Sequence, residues 1–64
     1  MNQLTETKNG QTLVAEYFKA GNSSGCKFYI NGELVKEEKY ERHGLDWARQ
    51  QGQAWLDSVE TLNG

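Results

Sequence analysis

Cys26 and His43 are the two side chains of this sequence that could act as a nucleophile and its base. An imidazole beside a thiol favours the thiolate, which is how cysteine nucleophiles are activated. The alternation of apolar and polar residues, however, places Cys26 on the apolar face of a strand, and no third residue is placed to orient the imidazole. We therefore interpret Cys26 as a small buried hydrophobic residue and His43 as a residue at the start of a helix, and we predict no catalytic residues.

The chain contains one cysteine and one histidine, so a disulfide within one chain is excluded. A structural zinc site takes four ligands, and one of each residue cannot complete it without carboxylates or a second subunit. The sequence also lacks the glycine-rich loops that hold phosphates and the nucleophile elbow of the hydrolases. We therefore predict no metal, no cofactor, no small-molecule substrate and no enzymatic activity.

Acidic residues accumulate in the second half of the chain, at Glu33, Glu37, Glu38, Glu41 and Asp46. They could be paired carboxylates, or they could imitate a nucleic acid and block an enzyme that binds one. Lys36, Lys39 and Arg42 are interleaved with them and dilute the negative charge. Charged residues along an exposed strand edge also deter aggregation. We interpret the run as a solvated surface.

Two Asn-Gly pairs, Asn9-Gly10 and Asn31-Gly32, predict two β-hairpins, because this dipeptide suits the type I′ turn. The predicted strands cover approximately residues 3–8, 11–19, 26–30 and 33–40. A polar loop at 20–25 would join the hairpins. The turns predict that Leu4 lies opposite Ala15 and that Phe28 lies opposite Val35.

The last third of the chain predicts one helix, over approximately residues 44–62. Apolar or small residues recur there at steps of three and four, at Leu45, Ala48, Gly52, Trp55, Val59 and Leu62. Gly52 interrupts this stripe, and we expect it to allow close approach to an aromatic residue of the sheet. Leu56 falls at the edge of the stripe, and Trp47 falls on the flank or surface of the helix.

These elements predict an α+β domain in which a four-stranded antiparallel meander carries one C-terminal helix on one face (ββββα). If Tyr17 pairs with Phe28, the helix covers a face that also holds Val35. The opposite face then carries a surplus of aromatic residues and lysines. With Trp47 on the helix, the candidate binding residues are Phe18, Lys27, Tyr29, Leu34, Lys36 and Trp47.

Three interpretations of this second face are open. Aromatic residues flanked by Lys27 and Lys36 could stack on unpaired bases, which predicts single-stranded nucleic-acid binding. The same aromatic residues are typical anchors of protein interfaces. The face could also be a sheet surface with scattered apolar residues and no partner. The formal net charge of −2 argues against nucleic acid, so we favour contact with another protein or with a second copy of the chain.

Length and composition place the chain among small single domains. Its 64 residues (1–64) are near the lower limit for a chain that folds on its own core, so good packing or self-association is expected. No apolar run is long enough for a membrane span or a signal peptide. We expect a complete chain, since it begins with Met and ends after a helix stop signal, and we expect it to be cytoplasmic.

The run Phe28-Tyr-Ile-Asn-Gly-Glu-Leu-Val, followed by Tyr40 and by Ala54-Trp55-Leu56, resembles many small bacterial and bacteriophage open reading frames. These share a meander with a glycine turn followed by one helix that contains aromatic residues. Some anti-CRISPR and other phage inhibitor proteins are similar in plan. The resemblance covers roughly residues 26–62 and implies a small binder, inhibitor or adaptor, with no functional residue carried over.

Overall fold

The computed structural model describes residues 2–59, which form one antiparallel sheet and one helix. The strands and the helix are β1 (Asn2–Lys8), β2 (Gln11–Ala20), β3 (Ser23–Ile30), β4 (Glu33–Tyr40) and α1 (Leu45–Ser58). The strand order is β1-β2-β3-β4, and α1 packs against the sheet. The predicted ββββα fold is therefore confirmed.

Both predicted Asn-Gly turns are present, with positive φ at each of their central residues. Asn9 and Gly10 have φ of 49° and 79°, and Asn31 and Gly32 have φ of 51° and 82°. These values match the type I′ turn, whose twist suits the right-handed twist of the strands that it joins. The outer hairpins accordingly have the predicted registers at their turns, with Leu4 opposite Ala15.

The connection between the two hairpins is shorter than predicted. Ala20 pairs with Ser23, so Gly21 and Asn22 alone join β2 to β3, and Gly21 adopts a φ of 62°. The expected loop at 20–25 is therefore wrong, and β3 begins at Ser23 instead of Cys26.

The middle register differs from the prediction by two residues, because the short turn fixes it. Tyr17 lies opposite Cys26, and Phe28 lies opposite Ala15. A shift of two residues keeps every side chain of β2 and β3 on its predicted face, since faces alternate with a period of two.

A β-bulge in β4 changes the face of the residues that follow it. Tyr29 pairs with Leu34 as predicted, but Phe28 pairs with Lys36 and not with Val35. Val35 is the extra residue of the bulge and is 48% exposed, so its predicted place in the core is wrong. Lys36 consequently lies on the same face as Phe28, which corrects its predicted place on the opposite face.

The core lies between α1 and the middle of the sheet. Its buried apolar residues, all at most 2% exposed, are Leu13, Ala15, Cys26, Phe28, Ala48 and Leu56. The helical stripe packs on this core, with Trp55 partly buried against it. Val59 is also partly buried there, but it follows the end of the helix at Ser58 and has extended backbone, so its predicted place within the helix is wrong. Leu56, which we expected at the edge of the stripe, is central. Residues 60–62 of the predicted helix, Leu62 among them, lie outside the described residues.

Gly52 brings the helix close to small residues of β2 and β3. A Cβ at this position would lie 3.1 Å from Ala15 Cβ and 3.4 Å from Cys26 Sγ. The predicted close approach of the helix to the sheet is confirmed, but the neighbours of Gly52 are not aromatic, so that part of the prediction is wrong. Two small side chains, Ala15 and Cys26, set how closely the helix approaches.

The helix covers only one side of the sheet. It begins after β4, and its C-terminal part reaches β1, where Lys8 Nζ donates a hydrogen bond to the carbonyl oxygen of Leu56. We call this side the covered face and the opposite side the open face. The cross-strand pairs place the following residues on the open face: Gln3, Thr5, Val14, Glu16, Phe18, Gly25, Lys27, Tyr29, Leu34, Glu37 and Lys39.

Candidate interaction surface on the open sheet face

Three apolar side chains form a row across the open face. Val14 on β2 pairs with Tyr29 on β3, which pairs with Leu34 on β4. Leu34 is 50% exposed, the largest value among the large hydrophobic residues that the structure describes. Val14 and Tyr29 are half-buried. Neighbouring side chains on one face of a sheet lie close enough to touch, so these three form one apolar strip, which we call the apolar row.

A second row carries alternating charge. Glu16 on β2 pairs with Lys27 on β3, which pairs with Glu37 on β4. Lys39, one residue pair further along β4, forms a salt bridge with Glu37 at 3.9 Å. We call Glu16, Lys27 and Glu37 the charged row. Two acidic and two basic side chains thus stand on this part of the open face, and their formal charges cancel.

The ring of Phe18 is held on the open face by a glycine and two lysines. A Cβ on Gly25, its partner on β3, would lie 2.5 Å from the ring, so the ring occupies the space that any larger residue would need. The ammonium groups of Lys27 and Lys39 lie 5.9 and 5.4 Å from the ring centroid. Cations at this distance are attracted to the aromatic face, and they partly cover Phe18 from solvent.

Beside this ring the open face has a shallow depression. Its volume is about 300 Å³, and its lining residues are Glu16, Phe18, Lys27, Glu37 and Lys39. A second pocket, of about 240 Å³, lies on the covered face between α1 and β4. The first depression lies beside the apolar row, so the two together form one candidate contact surface on the open face.

The structure brings together four of the six predicted binding residues. Phe18, Lys27, Tyr29 and Leu34 share the open face. Lys36 lies on the covered face, with its ammonium group 4.8 Å from the centroid of Phe28.

Trp47 also lies apart from the open face, because it belongs to α1. The residue is 39% exposed, as predicted for a flank or surface residue, and its indole stacks on the imidazole of His43 with the ring centroids 4.1 Å apart.

Sequence reasoning missed Gly25 as a residue of this surface. The composition of residues 20–25 predicts a loop that ends at Gly25, although a glycine next to a strand of alternating pattern can also mark a close contact. Gly25 contributes to this surface because the register between β2 and β3 places it opposite Phe18. The predicted six-residue loop did not define that register.

Cys26 is fully buried, as predicted, and it is separated from solvent by the helix. Burial, together with the nearby carboxylate of Glu38, raises the pKa of its thiol to about 11. The thiol is therefore protonated at neutral pH. His43 is exposed, so the two members of the hypothetical nucleophile–base pair lie in different environments.

We expect alkaline conditions to destabilise the fold through Cys26. Its pKa rises from 9.0 to about 11 on folding, so the folded state binds more protons in this range and the free energy of unfolding falls as pH increases from about 9 to 11. The slope is at most about 1.4 kcal/mol per pH unit for one group. Denaturant unfolding at successive pH values measures it. Tyr40, whose pKa is also raised by burial and by its hydrogen bond to Glu38, adds to the slope.

Cys26→Ala is the matched control for this titration. It removes the thiol and should leave a shallower alkaline slope. Equal slopes for the natural chain and the variant would contradict the assignment to Cys26.

Across residues 2–59, no group of three or more His, Cys, Asp or Glu side chains is arranged to hold a metal ion. The helix in this range is too short and too polar to cross a membrane.

Comparison of the chain with protein families, with curated proteins and with solved structures gave no match.

Proposed function

We propose that this chain is a small protein-interaction module that binds its partner through the open face. The observation that carries this proposal is the apolar row, Val14, Tyr29 and Leu34, on the face that α1 leaves uncovered. Exposed apolar surface of this kind is a typical feature of protein interfaces, in which aromatic residues are the usual anchors.

The charges of the open face favour a protein partner over a single-stranded nucleic acid. A groove for single strands combines excess positive charge with aromatic rings that are free to stack. Here Glu16 and Glu37 balance Lys27 and Lys39, and Lys36 lies on the other face. The ring of Phe18 is partly covered by two ammonium groups, which leaves less of it free to stack on a base.

Site-specific photo-crosslinking tests this proposal. A benzophenone amino acid at position 34, within the apolar row, should yield protein adducts in a lysate of the native host. The matched control is the same probe at Gln53, an exposed position on α1. Tyr29→Ser should remove the adducts formed at position 34, because it interrupts the apolar row.

Two results would contradict the proposal. One is a lack of protein adducts at position 34, and the other is an equal yield at position 53. Adducts with nucleic acid at position 34 would favour the single-strand alternative instead.

A further inference from the structure

The charged row of the open face is complementary to itself. Its order across the sheet is Glu16, Lys27 and Glu37, and the neighbouring β1 position that pairs with Glu16 is Gln3. When a face of this kind meets a copy of itself, the orientation decides whether opposite or like charges meet. Most homodimers are built on a two-fold axis, so each contact occurs twice.

Consider a two-fold axis that lies above the open face, parallel to the strands and midway between β2 and β3. It places the β1–β2 half of one sheet over the β3–β4 half of its partner. Each β2 residue then faces the β3 residue of the same row in the partner. Glu16 of one protomer therefore faces Lys27 of its partner, and Lys27 faces Glu16. At the edges of the row, Gln3 of one protomer faces Glu37 of its partner, so the amide N–H of Gln3 can donate a hydrogen bond to the carboxylate of Glu37.

The same axis also determines the contacts of the apolar row. Val14 faces Tyr29 of the partner, and Leu34 on β4 faces Thr5 on β1. An axis perpendicular to the strands and through the charged row would instead place Glu16 on Glu16 and Lys27 on Lys27. Like charges placed opposite each other in an interface cost several kcal/mol, so the charge pattern selects the first axis.

The size of the open face is sufficient for a weak dimer. Strands lie about 4.8 Å apart and rise about 3.3 Å per residue, so four strands of about eight residues cover on the order of 500 Å². Two such faces bury roughly 1,000 Å², which is below the roughly 1,200 Å² of stable interfaces and within the size of weak ones. Stacked sheets cross at about 30°, so the strands are inclined by about 15° to the axis, and contacts near the centre of the face, such as Glu16 with Lys27, are displaced least.

We propose that the open face binds a second copy of this chain, face to face, about a two-fold axis parallel to the strands and between β2 and β3. This inference rests on the proposed function and specifies its partner. The apolar row supplies the buried area. The charged row sets the orientation, which is the usual role of interfacial charge.

Charge reversal tests the predicted contact. Sedimentation velocity of the purified natural chain over a concentration series should show a monomer–dimer equilibrium. Glu16→Lys and Lys27→Glu should each weaken self-association by at least about 10-fold, because each reversal creates two like-charge contacts.

Two experiments that restore the pairing of opposite charges separate this effect from damage to the fold. An equimolar mixture of the Glu16→Lys and Lys27→Glu chains should form a heterodimer, since opposite charges then meet at both contacts. The double variant should regain self-association, because it exchanges the two charges and stays complementary to itself.

The inference is overturned if the natural chain is monomeric over the whole series, if single reversals leave association unchanged, or if the mixture does not associate. Its failure differs from that of the proposed function. Adducts at position 34 with other proteins only would refute the homodimer and keep the interaction module. A lack of any protein adduct would refute both.

Discussion

Replacing Phe28 by alanine is expected to remove most of the stability of this domain. The side chain is 1% exposed, and its ring lies 4.8 Å from that of Trp55 with the planes inclined at 52°. Truncation of a buried phenylalanine costs about 3–5 kcal/mol, because apolar contacts are lost and a cavity remains. A domain of this size has a total stability of roughly 3–10 kcal/mol. Phe28→Ala should therefore be largely unfolded or melt far below the natural chain.

Urea unfolding followed by tryptophan fluorescence measures this effect, since Trp55 contacts Phe28 directly. The matched control is Val35→Ala, which also truncates an apolar residue near Phe28 in the sheet. Val35 is half-exposed in the bulge, so its loss should change the free energy of unfolding by no more than about 0.5 kcal/mol. Similar losses for both variants would contradict the assignment of Phe28 to the core.

The elements that could be predicted from the sequence are those with strong local causes. Asn9-Gly10 and Asn31-Gly32 adopt the positive φ that this dipeptide favours, and they fix the outer hairpins. The apolar stripe of α1 predicts which face of the helix is buried, since Ala48 and Gly52 both lie in the interface with the sheet.

The middle of the sheet has one local cause, the two-residue turn at Gly21 and Asn22, which is a weaker hairpin signal than Asn-Gly. Its other causes are packing contacts, which a local pattern does not show. Ser23 to Gly25 has the composition of a loop, yet it continues β3, and Ser24 is fully buried. Small residues are accepted there because larger neighbours fill the space, as Phe18 does over Gly25. A local pattern shows the size of a residue but not what lies across the strand from it.

The bulge in β4 has a similar cause and decides part of the candidate site. Without it, Val35 would lie on the covered face and Tyr40 on the open face, as strict alternation requires. With it, Tyr40 packs against the core and Val35 is exposed. An aromatic residue buries more apolar area than a valine does. The same change moves Lys36 to the covered face, which is why the predicted face was right for Tyr29 and Leu34 but wrong for Lys36.

Gly25→Ala is expected to destabilise the sheet and to disturb the open face at the same time. The added Cβ would lie 2.5 Å from the ring of Phe18 and 2.9 Å from the carbonyl oxygen of Glu38. Because Gly25 does not have a positive φ, alanine is compatible with its backbone, and alanine should be slightly favourable through its smaller loss of entropy. A loss of stability therefore reports packing alone. Overpacking of this kind costs about 1–3 kcal/mol.

A double-mutant cycle with Phe18→Ala identifies the contact that is responsible. Aromatic residues opposite glycines stabilise strands by covering the exposed backbone, so Phe18→Ala alone should also be destabilising. In the double variant the ring that clashes with the new methyl group is absent, and the two losses should be less than additive by at least about 0.5 kcal/mol. Additive losses would show that the ring of Phe18 does not lie on Gly25, and the arrangement of the open face around that ring would then be wrong. Thermal and urea unfolding of the four chains, measured at one protein concentration because self-association would shift the apparent stability, give the required free energies.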